Sequence, residues 1–137
     1  MTKSPFGTVL VTIRDDPAVA AIVGDKVSAR REEPPSVRLR SMARTRLPFG
    51  PGSGRVGMQL WTAIAQCYGT LDEAGEILAE QLAGLVSDAL HGKKIIGSAY
   101  IARAWTPEIG EILRDPDTDW PYHTVRIEAY AAAQAEA

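Results

Sequence analysis

Few side chains in this 137-residue sequence are suited to chemistry near neutral pH. Cys67 is the one cysteine, and His91 and His123 are the two histidines. A thiol beside a histidine can act as a nucleophile, and clustered cysteines and histidines can hold zinc. One cysteine and two distant histidines do not have the spacing of a structural zinc site. We therefore interpret Cys67 as a small buried side chain in an apolar strand.

Two further segments have patterns that resemble ligand-binding loops. Asp115, Asp117 and Asp119 alternate, but a tryptophan and a proline follow them where a calcium loop requires glycine and glutamate. We interpret these aspartates as turn-forming residues. The glycine-rich segment 50–54 lacks the Gly-Lys-Ser/Thr ending of a phosphate loop and leads into a predicted strand. The sequence therefore predicts no catalytic residue, no metal site and no cofactor.

Arginine is concentrated in one part of the chain. Only Glu32 and Glu33 lie nearby as acidic partners, so these guanidinium groups cannot all be buried in a dry core. They could contact another protein subunit, face water, or touch nucleic-acid phosphates. The pI of about 5.7 and the absence of interleaved aromatic residues favour the first two readings. The seven arginines fall within 26 residues: Arg30, Arg31, Arg38, Arg40, Arg44, Arg46 and Arg55.

Charge is divided unevenly along the chain, although the net charge is only −2. Residues 1–69 carry 10 basic and 5 acidic side chains, whereas residues 70–137 carry 5 basic and 12 acidic ones. The two halves could neutralise each other within one fold. Alternatively, opposite patches on one subunit could drive head-to-tail contacts between copies.

Length and composition are typical of one globular domain spanning residues 1–137. No apolar stretch approaches the roughly 20 residues that cross a bilayer, and the N-terminus lacks the apolar core of a signal peptide. With one cysteine and no internal disulfide, the protein is expected to act in a reducing cytoplasm, away from membranes.

Two short helices are predicted near the N-terminus. Apolar residues recur at helical spacing over 5–15, and a second helix is predicted over 17–23. Asp16 suits the N-cap of the second helix, proline suits its first position, and Gly24 suits its end.

Alternating apolar and polar residues predict strands over 26–31, 36–44, 55–68, 94–105 and 122–131. Segment 106–114 could extend a strand or form a helical turn. Segment 47–54 is predicted to be a mobile loop between two antiparallel strands, because prolines and glycines dominate it. The strand at 55–68 is apolar on much of both faces, which predicts a central position or a cover on its second side.

A longer amphipathic helix is predicted from about residue 71 to about residue 91. Thr70 and Glu73 have the spacing of a capping box at its start, and Gly92 follows its end. The order of elements predicts an α+β fold. In it, an antiparallel sheet of about four to five strands packs against this helix, with the two short helices at the N-terminus.

The whole chain resembles a family of phage proteins in its order of elements. Segment 16–27 reads Asp-Pro-Ala-Val-Ala-Ala-Ile-Val-Gly-Asp-Lys-Val and follows a short helix. A Met-Gln-Leu-Trp strand begins at Met58, a capped helix begins near Leu71, and a closing strand covers 123–130. This organisation resembles the tail terminator, or tail completion (head–tail joining), proteins of siphophages and their prophage relatives.

The resemblance implies a structural virion protein without catalytic residues. Subunits of this family form a hexameric ring, assembled in the bacterial host, that ends the tail tube and joins it to the head connector. The implied partners are further copies of the chain, the tail-tube protein and the head-connector or stopper protein. Genomic DNA would pass through the ring lumen without sequence-specific binding, and no membrane is involved.

Because tail-tube lumens tend to be acidic, we expect the arginines at an outer or inter-subunit face. The loop at 45–55 is expected to contact the tube or connector. The predicted subunit or partner interface comprises Arg38, Arg40, Arg44, Arg46, Phe49, Arg55, Glu73, Glu76 and Glu80.

Other readings of the sequence remain open at this point. The chain could be another neck or tail subunit, such as a head-closure, connector or tail-tube protein. A small nucleic-acid-binding regulator and an enzyme using Cys67 or the aspartates at 115–119 are less favoured alternatives.

Overall fold

The computed structural model describes the backbone of residues 5–46, 58–91, 94–96 and 100–133, and the side chains of residues 6–42, 60–91 and 110–128. The helices are α1 (Pro5–Asp15), α2 (Pro17–Val23) and α3 (Gly75–Leu90). The strands are β1 (Val27–Ser28), β2 (Ser36–Arg46), β3 (Met58–Tyr68), β4 (Lys94–Ile96), β5 (Tyr100–Arg114) and β6 (Pro121–Ala133).

The strands form one sheet in the order β1-β2-β3-β6-β5-β4. The predicted α+β class is confirmed. The described chain has six strands where the sequence predicts about four to five, and one of the six, β1, is only two residues long. Segment 94–105 is divided into β4 and the start of β5, and segment 106–114 continues β5 as a strand. The sheet is also mixed, because β1 pairs with β2 in parallel while the other pairs are antiparallel.

The two N-terminal helices have the bounds that the sequence predicts. The Asp16 carboxylate accepts a hydrogen bond from the Val19 amide at 3.2 Å, which caps α2. Gly24 follows α2 with a φ of 64°, a conformation that glycine adopts without steric cost. These helix ends were predictable because the determining residues lie next to each other in sequence.

Helix α3 begins about one turn later than the sequence predicts and is correspondingly shorter. The predicted capping box does not form, because the Thr70 hydroxyl donates to the Asp72 carboxylate at 2.8 Å and Ala74 makes no side-chain cap. A β carbon on Gly69 would overlap the Gly75 carbonyl, and one on Gly75 would overlap the Thr70 carbonyl. This close backbone approach folds 69–75 into a tight turn before the helix can start.

Helix α3 packs on β3, β5 and β6, and α1 and α2 pack beside it. The sheet face beneath the helices, the inner face, is lined on β3 by Trp61, Ala63, Ala65 and Cys67, all buried. Three of these four side chains are small, which lets the helix approach closely. Leu82 and Val86 of α3 are fully buried against this face, and such burial stabilises the fold by roughly 1.5–3 kcal/mol per side chain.

The opposite, outer face of the sheet has a different composition. Cross-strand register places Arg40, Ile64 and Arg126 directly side by side on β2, β3 and β6. These positions alternate with the buried residues of the inner face, and no described helix packs over them. The prediction that the β3 strand is central is confirmed, since it lies between β2 and β6.

Strand β1 pairs with β2 only at Val37 and Arg38. From Leu39 to Arg46 the second edge of β2 therefore has no partner among the described strands. None of the helices that the structure describes is long and apolar enough to cross a membrane.

Candidate functional site

Arg38 and Arg40 both lie on the outer face of β2 but differ in their surroundings. Arg38 is half-buried, and its Nε donates to the Ala29 carbonyl at 3.2 Å. It also lies beside Tyr68, where burial raises the pKa of the phenol and hydrogen bonding to Arg38 partly offsets that rise. Arg40 is exposed, and it forms no ion pair with any carboxylate in the described part of the chain. Of the two arginines of β2 whose side chains are described, Arg40 is therefore the one available to a partner.

Arg31 has its counter-charges in its own chain. Its Nη1 lies 2.9 Å from one Asp115 carboxylate oxygen and 3.3 Å from Asp117. Burial raises the pKa of Asp115, but hydrogen bonds from the Asp117 amide, Arg31 and the Thr118 amide outweigh it and hold that pKa below its ordinary value. The hydrogen bond to Asp115 likewise raises the pKa of Arg31. The charge of Arg31 is therefore neutralised by carboxylates of its own chain, so this arginine needs no partner subunit.

The three aspartates at 115–119 form a turn, as predicted. Asp115 is only 6% exposed and accepts from two amides of the turn, and Asp119 has a φ of 60°. Within the described residues, no three potential metal ligands converge on one point. The turn lies beside the start of α3, since Arg114 donates to Glu76 at 2.8 Å. We call residue 31 with segments 69–76 and 114–121 the turn end.

The predicted acidic positions lie at and beyond the start of α3. Glu73 precedes the helix and is exposed, and Glu76 is paired with Arg114 of its own chain. Glu80 is exposed and has no ion-pair partner among the described residues. Ile77, between these carboxylates, is 60% exposed.

Among the residues whose side chains are described, the structure does not bring the predicted cations and anions together within one subunit. Arg38 and Arg40 lie on the outer face of the sheet, whereas α3 covers the inner face. Glu80 is exposed on α3 and therefore lies on the opposite side of the two-layer fold from Arg40. Arg44 and Arg46 belong to β2, but their side chains lie outside the described residues, as do Phe49, Arg55 and the whole predicted loop at 47–54.

The structure reveals an apolar depression of about 270 Å³ on the outer face that the sequence analysis missed. Met42, which is 60% exposed, lines it together with Thr62, Ile64 and Arg126. The apolar residues on the second face of the β3 segment were the sequence feature that could have indicated this depression. What could not be read from the sequence is that β6 brings Arg126 alongside Ile64.

Cys67 and His123 are directly opposite each other on β3 and β6. The pairing resembles a nucleophile with its base, but Cys67 is fully buried, and burial raises the pKa of its thiol. The Nδ1 of His123 is buried without a hydrogen-bond partner among the described groups. A protonated thiol without access to solvent cannot attack a substrate, so Cys67 is a core side chain.

A family model described as "Tail completion protein gp17" matches residues 8–132. The match covers most of α1, all of α2 and α3, and nearly all of the sheet. The chain belongs to the tail completion protein gp17 family. The resemblance in the order of elements is thereby confirmed, and membership gives the chain a structural role in a phage-type tail or neck.

The fold of this tail completion protein also occurs in a solved particle structure. A chain from a structure titled "Virion of native gene transfer agent (GTA) particle" matches with a TM-score of 0.70 and 20% sequence identity. The match covers 94% of this chain and 95% of the other. A search of curated protein sequences finds no match.

Proposed function

We propose that this tail completion protein forms a homo-hexameric ring at the head-proximal end of the tail tube. There it stops tube polymerisation and joins the tail to the head connector. The observation that carries the proposal is the family match over residues 8–132. The tail-tube protein and the connector are its neighbours, and DNA passes through the ring lumen without sequence-specific contacts.

The distribution of charge supports a ring made of repeated head-to-tail contacts. Arg40 lies on one side of the two-layer fold and Glu80 on the other, and neither has an ion-pair partner among the described residues. A contact between different surfaces of identical subunits generates a ring when the rotation between neighbours closes. Such a contact would place the arginines of one subunit against the carboxylates of the next.

We include the predicted interface residues in this proposal, with different weights. Arg40, Glu73 and Glu80 are exposed and available for contacts with a partner. Glu76 contributes less, because Arg114 of its own chain already neutralises it. Arg38 is partly used within its own subunit. Arg44, Arg46, Phe49 and Arg55, whose side chains lie outside the described residues, are proposed to contact a neighbouring subunit, the tube or the connector.

Deletion of the gene in a particle-producing strain tests this function. Without a terminator, tube growth loses its stop, so we expect tails of irregular length and tailless heads in electron micrographs. Restoring the wild-type gene should recover uniform, joined tails. Cryo-electron microscopy of these particles should show a six-fold ring of this chain at the neck.

The same deletion distinguishes other subunits of the neck and tail. Loss of a tail-tube subunit removes tails altogether, and loss of a head-closure subunit leaves tails of normal length beside leaking heads. Tails of normal length joined to heads in the deletion strain would refute the proposal. A gel-shift titration at low salt should show no DNA binding, and steep salt-dependent binding would instead favour a nucleic-acid regulator.

A further inference from the structure

Gly84 lies in the middle of α3 in a place where the subunit gives no reason for a glycine. A β carbon built at this position would meet nothing within 4 Å, so neither packing nor close backbone approach requires glycine here. Replacing alanine by glycine inside a helix weakens folding by about two- to five-fold in the equilibrium constant. Gly69 and Gly75 differ, because their β carbons would collide with backbone.

Gly84 belongs to a stripe along the solvent side of α3, which we call the helix stripe. Its members, Ile77, Glu80, Gly84 and Asp88, are spaced three and four residues apart and therefore lie in one line. Glu80 and Asp88 flank Gly84 by one turn on each side, about 6 Å away along the helix axis. An exposed isoleucine stands at one end of the stripe.

The outer face of the sheet carries a matching pattern. Arg40, Ile64 and Arg126 are directly opposite one another across three adjacent strands, and we call them the sheet row. Neighbouring strands are about 4.8 Å apart, so the two guanidinium-bearing positions flank the isoleucine at about that distance. Arg126 has a weak ion pair with Glu128 at 3.4 Å, both on the surface, and Met42 lies beside the row in the apolar depression.

The two patterns are complementary in charge and in shape. We propose that the helix stripe of one subunit docks across the sheet row of a second copy of this chain. Gly84 lies over Ile64, where a side chain would hold the helix away, and Glu80 and Asp88 face Arg40 and Arg126. Ile77 packs on Met42 at the strand edge.

This inference rests on the proposed ring function and specifies which surfaces of neighbouring subunits meet. Each subunit contributes the stripe from one side of its fold and the row from the other, so the contact is head-to-tail. The sheet then has a helix on both faces, which explains why β3 is apolar on its second face.

Reversed charges test the contact in solution and in particles. Arg40→Glu places like charges together at each interface, and Glu80→Arg does so with the opposite sign. Each variant alone should form at least ten-fold fewer rings, measured by native mass spectrometry or by ring density at the neck. Both positions are exposed, so circular dichroism and melting temperature should match those of the wild type.

Recombining the two changes restores opposite charges. The double variant Arg40→Glu/Glu80→Arg should assemble again, and an equal mixture of the two single variants should form alternating rings containing both in equal amounts. Alternation closes only in rings with an even number of subunits. Assembly by both single variants at wild-type levels would overturn the proposal.

Engineered cysteines test the same contact inside particles, so the test does not require the purified protein to form rings in solution. Ile77→Cys with Met42→Cys on one chain should give disulfide-linked ladders up to the full ring in mildly oxidised particles. Each single variant, with Cys67 still buried, is the control and should stay monomeric on denaturing gels. Linked dimers that never extend would indicate a two-fold contact and contradict the proposal.

The outcome also separates this inference from the proposed function. If a six-fold ring of the chain is present at the neck but residues 42 and 77 do not crosslink, the docking is wrong and the ring function stands. If the chain is absent from the neck, the ring function itself fails.

Discussion

At the turn end, Arg31 contacts Asp115 and Asp117, and Arg114 contacts Glu76, so each guanidinium has a carboxylate of its own chain. In the sheet row, Arg40 has no such partner among the described residues, and an apolar depression opens beside it. Both regions derive from the same imbalance of charge in the sequence. One uses its charges to close the fold, and we infer that the other keeps them for assembly. Mutations in the two regions should therefore affect different measurements.

The largest effect on stability is expected at Gly75, and Gly84 of the same helix is its matched comparison. Gly75→Ala forces a β carbon into the Thr70 carbonyl and should lower the free energy of unfolding by about 3 kcal/mol, measured by urea denaturation. Gly84→Ala meets no obstacle and should raise it by about 0.5–1 kcal/mol through helix propensity. Gly84→Gln should also stabilise the subunit yet block ring formation. If the Gly84→Gln variant still assembled into rings, the inference that Gly84 serves docking and not folding would be wrong.

A smaller loss of stability is expected from removing the Asp115 carboxylate at the turn end. Asp115→Ala removes the acceptor for Arg31 and for two turn amides, which should cost about 2 kcal/mol in thermal or urea unfolding. Asp117→Ala is the matched control, because Asp117 is exposed and its contact with Arg31 is longer. We expect it to cost less than about 0.5 kcal/mol. Equal losses of stability in the two variants would show that the buried Asp115 contributes no more to the fold than the exposed Asp117.

Acid should weaken the turn end in a defined pH range. The folded-state pKa of Asp115 is below its ordinary value, so its ionised carboxylate stabilises the fold fully above that ordinary value, near 4. The contribution is lost as pH falls below 4 toward the folded-state pKa. The stability difference between wild type and Asp115→Asn should be constant above pH 5 and shrink below pH 4. A difference that grows in acid would contradict this linkage.

The smallest effect on stability is expected in the sheet row. Arg40→Ala should change the free energy of unfolding by less than about 0.5 kcal/mol, because no described partner is lost. Ring assembly should nevertheless fall, and wild-type assembly should weaken between 0.05 and about 0.5 M salt as surface charges are screened. Assembly that is insensitive to both changes would place the interface elsewhere.

How much of the molecule could be read from the sequence depends on the distance over which its determinants act. Helix α2 was predictable because Asp16 and Gly24 cap it locally. The start of α3 was not, because the approach of Gly69 to Gly75 overrides a capping signal that looked complete. The placement of β6 between β3 and β5 leaves no local trace either.

The candidate site shows the same limit. The sequence identified a cluster of arginines but could not separate Arg31 from Arg40. The difference arises from Asp115, which lies 84 positions away from Arg31 in the chain. Ile77 and Gly84 were also missed, since their meaning depends on which side of α3 is buried.

The short pairing of β1 leaves most of one edge of β2 without a partner among the described strands. Open strand edges invite indiscriminate stacking of one chain on another, and charged side chains along them oppose it. This strand carries Arg40, Arg44 and Arg46 in its sequence. The same cations that we assign to docking would thus keep newly made subunits apart by mutual repulsion, until an oppositely charged surface presents itself in the right orientation.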